Sequence, residues 1–136
     1  MTSREVSTRR VSGIVALDIT SSGGIRTVAE FLIRTIRDLS EYQVMAVSLS
    51  ASRRDANSRR LLDPSSWLRG PRCTRTRWND LDCIHVGSDW AEFEFQRYRT
   101  RSVLAEALEA CDLIQVVAGS PAVALRDFVG KLRGRV

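Results

Sequence analysis

The chain has 136 residues and 43% of them are hydrophobic, so one ordinary domain with a real core is expected and wholesale disorder is excluded. No apolar run approaches the roughly 18 residues that span a membrane, and no apolar stretch of a secretory signal follows MTSREVSTRR, so a cytoplasmic protein is expected. The net charge is +5, but residues 51–78 hold eight arginines against two aspartates, or +6, which leaves −1 elsewhere.

The first predicted elements are a strand, a turn and a helix. Residues 1–11 are expected to form a flexible tail, and 13–17 (GIVAL) form a short apolar run typical of a strand buried on both faces. The turn-rich sequence DITSSGG follows. Thr27 and Glu30 match a T-x-x-E capping box, which predicts the start of an amphipathic helix that continues to Leu39.

The rest of the chain continues the alternation. A second strand is predicted at 44–49, a third at 82–87 and a fourth at 113–118, with a long basic loop at 50–80. Helices are predicted from 89 to about 97, from Ser102 through Cys111, and after Ser120-Pro121, where serine and proline form a helix start.

This order of elements predicts an α/β fold. We expect a Rossmann-like open parallel sheet of about four strands with helices on both faces, spanning residues 12–136. The loops at 18–26, 50–55, 87–90 and 118–121 should then lie along one edge of the sheet, where ligands of such folds bind.

Two glycines supply the first candidate site. Gly23 and Gly24 lie between the first strand and the first helix, where a bare backbone could approach a phosphate, and Arg26 could add a charged contact. The alternative is a tight strand-to-helix turn. Ser120 stands at a second helix start on the same edge, with ordinary capping as its alternative.

The second group of candidates lies in and after the third strand. His85 is the only histidine and could serve as a general base, or be a partly buried structural residue. The stretch 89–99 contains four aromatic residues and three carboxylates, including Trp90 and Glu94, and could be a lid over the sheet edge or a core-facing helix. With one histidine and three cysteines that form no CxxC pair, no metal site is expected.

The arginine-rich loop leaves three interpretations open. It could be a solvated loop, a surface for an acceptor or a peripheral membrane contact through 51–78, or a nucleic-acid-binding segment. Nucleic acid is disfavoured because Trp67 and Trp78 are its only aromatic residues and no recognition motif accompanies them.

Three stretches together resemble a known family. The glycine loop leading into TVAEFLIRTIRDL, the stretch HVGSDWAEFEFQRYRTRSVL, and ACDLIQVVAGSPAVAL are similar to the N-terminal half of family 4 glycosyltransferases. The resemblance implies a retaining, metal-independent enzyme of the GT-B fold, built from two Rossmann-like domains. Its substrates would be a nucleotide-sugar donor and an acceptor hydroxyl, with no further cofactor.

By position, the resemblance gives Gly23 and Gly24 the diphosphate-facing role and places Ser120 on the acceptor side. Arg26 would join the glycines through its charge, and His85, Trp90 and Glu94 are expected on the acceptor side as well. Gln115 and Val117 stand where many members carry histidine, so no catalytic residue is carried over. No counterpart of the family's C-terminal domain follows, so an incomplete, inactive half of the enzyme is expected. The alternatives are a stand-alone nucleotide- or phosphate-binding module and a binder of nucleic acid or anionic surfaces.

Overall fold

The computed structural model of the chain describes residues 10–20, 23–39, 41–50, 52–93 and 103–117. The elements in chain order are β1 (Val11–Leu17), α1 (Gly24–Leu39), β2 (Gln43–Leu49), α2 (Ser65–Arg69), β3 (Cys73–Trp78), β4 (Leu81–Val86), α3 (Leu104–Leu108) and β5 (Leu113–Val116). None of the helices in these ranges combines the length and the apolar character needed to cross a bilayer.

The described strands form one open sheet with the order β3-β4-β2-β1-β5. Four of them run parallel, whereas β3 pairs antiparallel with β4 at the edge. The α/β, Rossmann-like architecture predicted from the sequence is therefore confirmed. The chain winds from β1 toward β2 and β4 on one side, and β5 lies on the other side of β1, so the strand order reverses between β1 and β5.

Helices cover both faces of this sheet, as expected. One face packs against α1 through Ala29 and Ile33, and the other packs against α3 through Leu104 and Leu108. Successive side chains of a strand point to opposite faces, so the continuous apolar runs of β1 and β2 serve both cores. Burial of these side chains supplies most of the folding free energy, at roughly 25 cal/mol per Å².

Two of the three cysteines belong to this core. Cys83 is fully buried on the α1 face and Cys111 is 2% exposed on the α3 face, so both serve as small core residues. Burial raises the pKa of the Cys83 thiol to about 11, so it stays protonated. A Cβ atom at Gly13 would lie 2.7 Å from Cys111 Sγ, so the sheet and this cysteine approach each other closely only because position 13 is glycine.

The prediction of a loop from 50 to 80 is wrong. This segment contains α2 and β3, which raises the strand count to five from the four expected. Strands β3 and β4 are joined by Asn79 and Asp80, which both have positive φ (50° and 61°), as a two-residue type I′ hairpin turn requires. The sequence did not indicate β3 because TRTRW is almost entirely polar and lacks the apolar alternation of a strand. Polar residues are tolerated there because β3 is only partly covered by the rest of the chain.

Several predicted helix boundaries are also wrong. The helix predicted from residue 89 is absent over 89–93, which form bends and turns. Helix α1 begins at Gly24, so Thr27 is not a cap: its hydroxyl donates to the Gly23 carbonyl one turn back (3.1 Å). In the described residues the helix predicted from Ser102 to Cys111 is limited to α3. Val11 already belongs to β1, so the predicted tail boundary at residue 11 is wrong, and residues 1–9 lie outside the described residues. Glu94, Ser102, Ser120 and the predicted last helix lie outside the described residues.

Candidate functional site

The carboxyl ends of the parallel strands meet at one edge of the sheet. The amide of Asp18, after β1, donates to the carbonyl of Leu49 (2.9 Å), and the amide of Ser50, after β2, donates to the carbonyl of Val86 (3.1 Å). The loops that follow β1, β2 and β4 are therefore neighbours, as the sequence predicted. This edge, and the reversal of strand order between β1 and β5, is where open α/β sheets bind ligands.

The glycine turn, which we define as Gly23 and Gly24, lies at this edge at the start of α1. Gly23 has φ 132°, a conformation that side-chain-bearing residues rarely adopt. A Cβ atom at either glycine would meet no atom of the described residues within 4 Å, so no described part of the chain covers the turn. The first turn of α1 carries no acidic side chain, and its amides are the positive end of a 16-residue helix dipole.

Arg26 follows the glycine turn, but its guanidinium group is already bonded to other groups of the protein. Its Nε donates to Glu30 Oε1 (3.0 Å) and its Nη1 lies 3.5 Å from the carbonyl of Thr20. The hydrogen bond from Arg26 lowers the pKa of Glu30, which also accepts a bond from Asn79 in the β3–β4 turn (3.4 Å). Arg26 therefore ties the helix start to the sheet edge in the structure as it stands.

His85 lies near the end of β4 in a row of polar side chains. Its Nε2 is 2.9 Å from Thr76 Oγ1, and the strand register places it between Ser48 of β2 and Thr74 of β3. The side chain is half-buried, and its Nε2 is already bonded within the sheet. Ser48 in turn accepts a bond from the amide of Ile19 (3.1 Å), which links the row to the β1 loop.

The basic segment, which we define as residues 52–72, folds against the end of β4. The amide of Arg59 donates to the carbonyl of Ser88 (2.9 Å), and the amide of Ser88 donates to the hydroxyl of Ser58 (2.9 Å). The two serine hydroxyls lie 3.2 Å apart, and Ser58 Oγ donates its hydrogen to Asp55 at 2.5 Å. Because that hydrogen is already used, Ser88 is the donor between the two hydroxyls.

Asn57 makes a second connection between the basic segment and the sheet. Its carbonyl accepts from the amide of Arg72 (2.8 Å), its Nδ2 donates to Thr74 Oγ1 (2.9 Å), and its side chain is buried. The amide of Gly87 donates to the carbonyl of Arg72 (3.0 Å). A Cβ atom at Gly87 would overlap the backbone carbonyl of Asn57, so this close contact requires glycine.

An aromatic cluster closes the outer side of the same region. Trp90 has φ 53°, in the left-handed region, and its ring lies 5.3 Å from the guanidinium carbon of Arg59 and 6.3 Å from the ring of Trp67 in an edge-to-face arrangement. Asp89 Oδ1 lies 3.5 Å from Arg59 Nη1, an ion-pair distance. Neither Asp89 Oδ1 nor Arg59 Nε, both buried, forms a hydrogen bond within the part of the chain that the structure describes.

Glu92 joins this cluster to the tip of the basic segment. Its carboxylate accepts from the amides of Leu61 (3.0 Å) and Leu62 (3.3 Å). Partial burial acts to raise the pKa of Glu92, but the backbone amides of Leu61, Leu62 and Glu92 itself, together with Arg60, outweigh it and lower the pKa. The carboxylate is therefore held in its charged form.

The structure separates the predicted site residues into two groups. The glycine turn and Arg26 follow β1, whereas His85 and Trp90 lie in and after β4, with β2 between them, a span of two strand spacings or about 10 Å. Sequence reasoning missed Asn57, Ser58 and Ser88, because contacts between turns thirty residues apart have no periodicity. Among the described residues no three histidine, cysteine or carboxylate side chains form a group that could hold a metal ion.

Comparisons of the chain with models of protein families, with curated proteins and with solved structures give no match. The similarity to family 4 glycosyltransferases therefore rests on the sequence stretches quoted above, and the activity that it implies stays a prediction.

Proposed function

We propose that this chain forms the acceptor-side half of the cleft of a retaining glycosyltransferase that uses a nucleotide-sugar donor. The observation that carries the proposal is the glycine turn, which presents bare backbone at the start of α1, uncovered by any described part of the chain, beside the reversal of strand order. The Rossmann-like sheet and the three stretches that resemble family 4 glycosyltransferases support it.

The proposed role of the glycine turn is to receive the donor diphosphate. The first hydrogen bond within α1 runs from the amide of Thr27 to the carbonyl of Gly23 (3.1 Å), so the amides of Gly24, Ile25 and Arg26 precede it and are the groups that an anion would meet. During transfer the bond from the sugar to the diphosphate breaks and the leaving diphosphate keeps the electron pair, while the acceptor oxygen bonds to the sugar and passes its proton to the leaving diphosphate oxygen. Amides at a helix start would stabilise that developing charge.

On the acceptor side, the proposal assigns His85 and Trp90 to the wall formed by β4 and the loop after it. His85 is already bonded to Thr76, and Trp90 is packed on Arg59 and Trp67, so both would shape the acceptor site. Glu94 and Ser120, which lie outside the described residues, belong to the same proposal.

The test is a titration of the ¹⁵N-labelled chain with UDP-glucose and GDP-mannose, followed by amide NMR. We expect shifts at Gly23, Gly24 and Ile25 with millimolar affinity, because one half of a cleft makes few of the donor contacts, and no sugar transfer by the chain alone. No shift at these amides with either donor would refute the proposal.

Two variants at one position sharpen this test. Gly24→Asp places a carboxylate where the diphosphate would bind and should abolish the shifts, whereas the uncharged Gly24→Ser should keep most of the binding. Neither new side chain meets an atom at its Cβ, so the fold is retained. The same site would also serve a stand-alone phosphate-binding module, which micromolar affinity of the lone chain, independent of the sugar, would favour.

A further inference from the structure

The tip of the basic segment presents an unusual apolar surface. We define the knob as residues 60–69, which include a turn and α2. Leu68 is fully exposed (101%), Leu62 is 88% exposed and Trp67 is 47% exposed. Single exposed leucines are ordinary on proteins, but a cluster of large apolar side chains on one protrusion is characteristic of a contact surface.

Hydrogen bonds fix the shape of the knob without using the side chains of Leu62 and Leu68. The hydroxyl of Ser66, which is buried, accepts from the amide of Arg60 (2.9 Å) and lies 2.7 Å from the carbonyl of Asp63. Trp67 Nε1 donates to the carbonyl of Arg60 (2.8 Å), and Glu92 binds the amides at the tip. The scaffold therefore presents Leu62 and Leu68 in a defined position while burying neither of them.

The segment that carries the knob has an excess of positive charge. The basic segment contains six arginines and two aspartates, and one of these, Asp63, is paired with Arg60 at 3.4 Å. Arg69 and Arg72 are exposed, but their guanidinium groups donate to the carbonyls of Ala56 and Ser58 and to the side chain of Asn57. Arg53 and Arg54 are exposed as well, and in the described ranges neither has a carboxylate within ion-pair distance. A guanidinium binds a phosphate group through two parallel hydrogen bonds, so these side chains suit a phosphate-bearing surface.

We propose that the knob binds the surface of an anionic phospholipid bilayer, with Leu62, Leu68 and the Trp67 ring entering the interface and the arginines contacting lipid phosphates. Leu68 is fully exposed and Leu62 nearly so, so among the described residues no wall stands beside these side chains that could form a pocket for a partner's side chain. A fluid bilayer needs no such pocket, and it combines an apolar interior with a negatively charged surface. The proposal is independent of sugar transfer, because its test requires no donor or acceptor.

The test is co-sedimentation of the 136-residue chain with vesicles of phosphatidylcholine, with and without 30% phosphatidylserine. We expect binding to the anionic vesicles alone, weakening as salt is raised because exposed charges are screened. Leu62→Ser combined with Leu68→Ser should reduce the partition coefficient by about tenfold or more, since each apolar group removed from water contributes. Brominated lipids should quench fluorescence of the chain, and Trp67→Phe should remove most of that quenching.

Matched controls come from α1, which also exposes apolar and basic side chains. Val28→Ser with Phe31→Ser removes two apolar groups that are 48% and 67% exposed, and should leave vesicle binding unchanged. Arg53→Ser with Arg54→Ser should weaken binding and flatten its salt dependence, whereas Arg34→Ser with Arg37→Ser on α1 should do neither. Circular dichroism of each variant checks that the fold is retained.

Three results would overturn the proposal. The folded chain could fail to bind anionic vesicles at low salt, or the double leucine variant could bind as well as the original chain. Sedimentation equilibrium could instead show self-association that the leucine substitutions abolish, without vesicle binding, which would assign the knob to a second copy of the chain.

Discussion

The hydroxyls of Ser58 and Ser88 lie 3.2 Å apart in the buried contact between the basic segment and the end of β4, although thirty positions separate them in the chain. Ser58 accepts from the amide of Ser88 and donates to Asp55, so one hydroxyl satisfies three groups. Both serines are almost completely buried, at 0% and 1% exposure. Uncharged hydrogen bonds therefore fix the arginine-rich segment to the end of β4, in addition to its charged contacts with Asp89 and Glu92.

Ser58→Ala tests this attachment. The substitution leaves the amide and hydroxyl of Ser88 without their acceptor in a buried position, so we expect a loss of about 2 kcal/mol in the free energy of unfolding. Urea denaturation followed by circular dichroism measures it, and Ser52→Ala, at an exposed position in the same segment, should cost less than about 0.5 kcal/mol. Equal losses in the two variants would contradict the assigned role of Ser58.

Gly87→Ala tests the same attachment through its backbone. The new methyl group would overlap the Asn57 carbonyl and lie 2.9 Å from the amide nitrogen of Ser58, so the basic segment has to move away from β4. We expect destabilisation of about 3 kcal/mol or more. Proteolysis by trypsin, which cleaves after arginine, should become faster within 52–72 than elsewhere in the chain.

Gly24→Ala is the matched control for that experiment. Its Cβ meets no atom, and alanine restricts the unfolded chain more than glycine does, so this variant should be about 0.5–1 kcal/mol more stable. Two glycine-to-alanine substitutions at one sheet edge should therefore change stability in opposite directions.

Elements that depend on local sequence patterns were predicted correctly, whereas elements that depend on contacts between distant residues were not. The apolar run of β1, and the periodicity of α1, are local patterns, and both elements lie within a few residues of their predicted bounds. The strand β3 was missed because its polar alternation resembles a loop and its pairing partner β4 is visible only through the turn. Asn79-Asp80 between two six-residue segments was the available clue, since both residues tolerate the left-handed conformation that the hairpin needs.

The candidate site divides in the same way. The glycine turn was predicted because its chemistry is local: two glycines between a strand and a helix. The attachment of the basic segment could not be predicted, because it pairs Asn57, Ser58 and Arg59 with residues about thirty positions later. Trp90 was expected on a helix, but tertiary contacts with Arg59 and Trp67 hold it at positive φ. Packing there overrides the helical periodicity that the sequence suggested.

The hydrogen bonds from the amides of Leu61 and Leu62 to the Glu92 carboxylate predict that stability depends on pH. The pKa of Glu92 is lower in the folded chain than its ordinary value of 4.5, so its carboxylate stabilises the fold above that value, and the stabilisation is lost as pH falls through the folded pKa. Glu92→Gln should cost on the order of 1 kcal/mol at pH 7, the low end for bonds to a charged group because the site is partly exposed.

The difference between Glu92→Gln and the original chain should shrink as the pH falls below 4.5, because the unfolded chain takes up its proton first, and it should vanish once the folded carboxylate is also protonated. Urea denaturation at pH 7 and pH 3.5 measures the two differences. Glu106→Gln, at an exposed glutamate of α3, controls for the general loss of a negative charge. A difference that stays constant across this pH range would show that Glu92 does not act through its charge.

Trp90 combines favourable packing with an unfavourable backbone conformation, and two substitutions separate them. Trp90→Ala loses the contacts with Arg59 and Trp67 and keeps a Cβ at φ 53°, whereas Trp90→Gly loses the same contacts but relieves the backbone strain. We expect the glycine variant to be about 1 kcal/mol more stable than the alanine variant, and both to be less stable than the original chain. Glycine usually destabilises a protein relative to alanine, so the expected order of stabilities is the reverse of the usual one. Thermal unfolding of the three proteins measures this order. If alanine were the better replacement, the left-handed conformation at position 90 would not be part of the native fold.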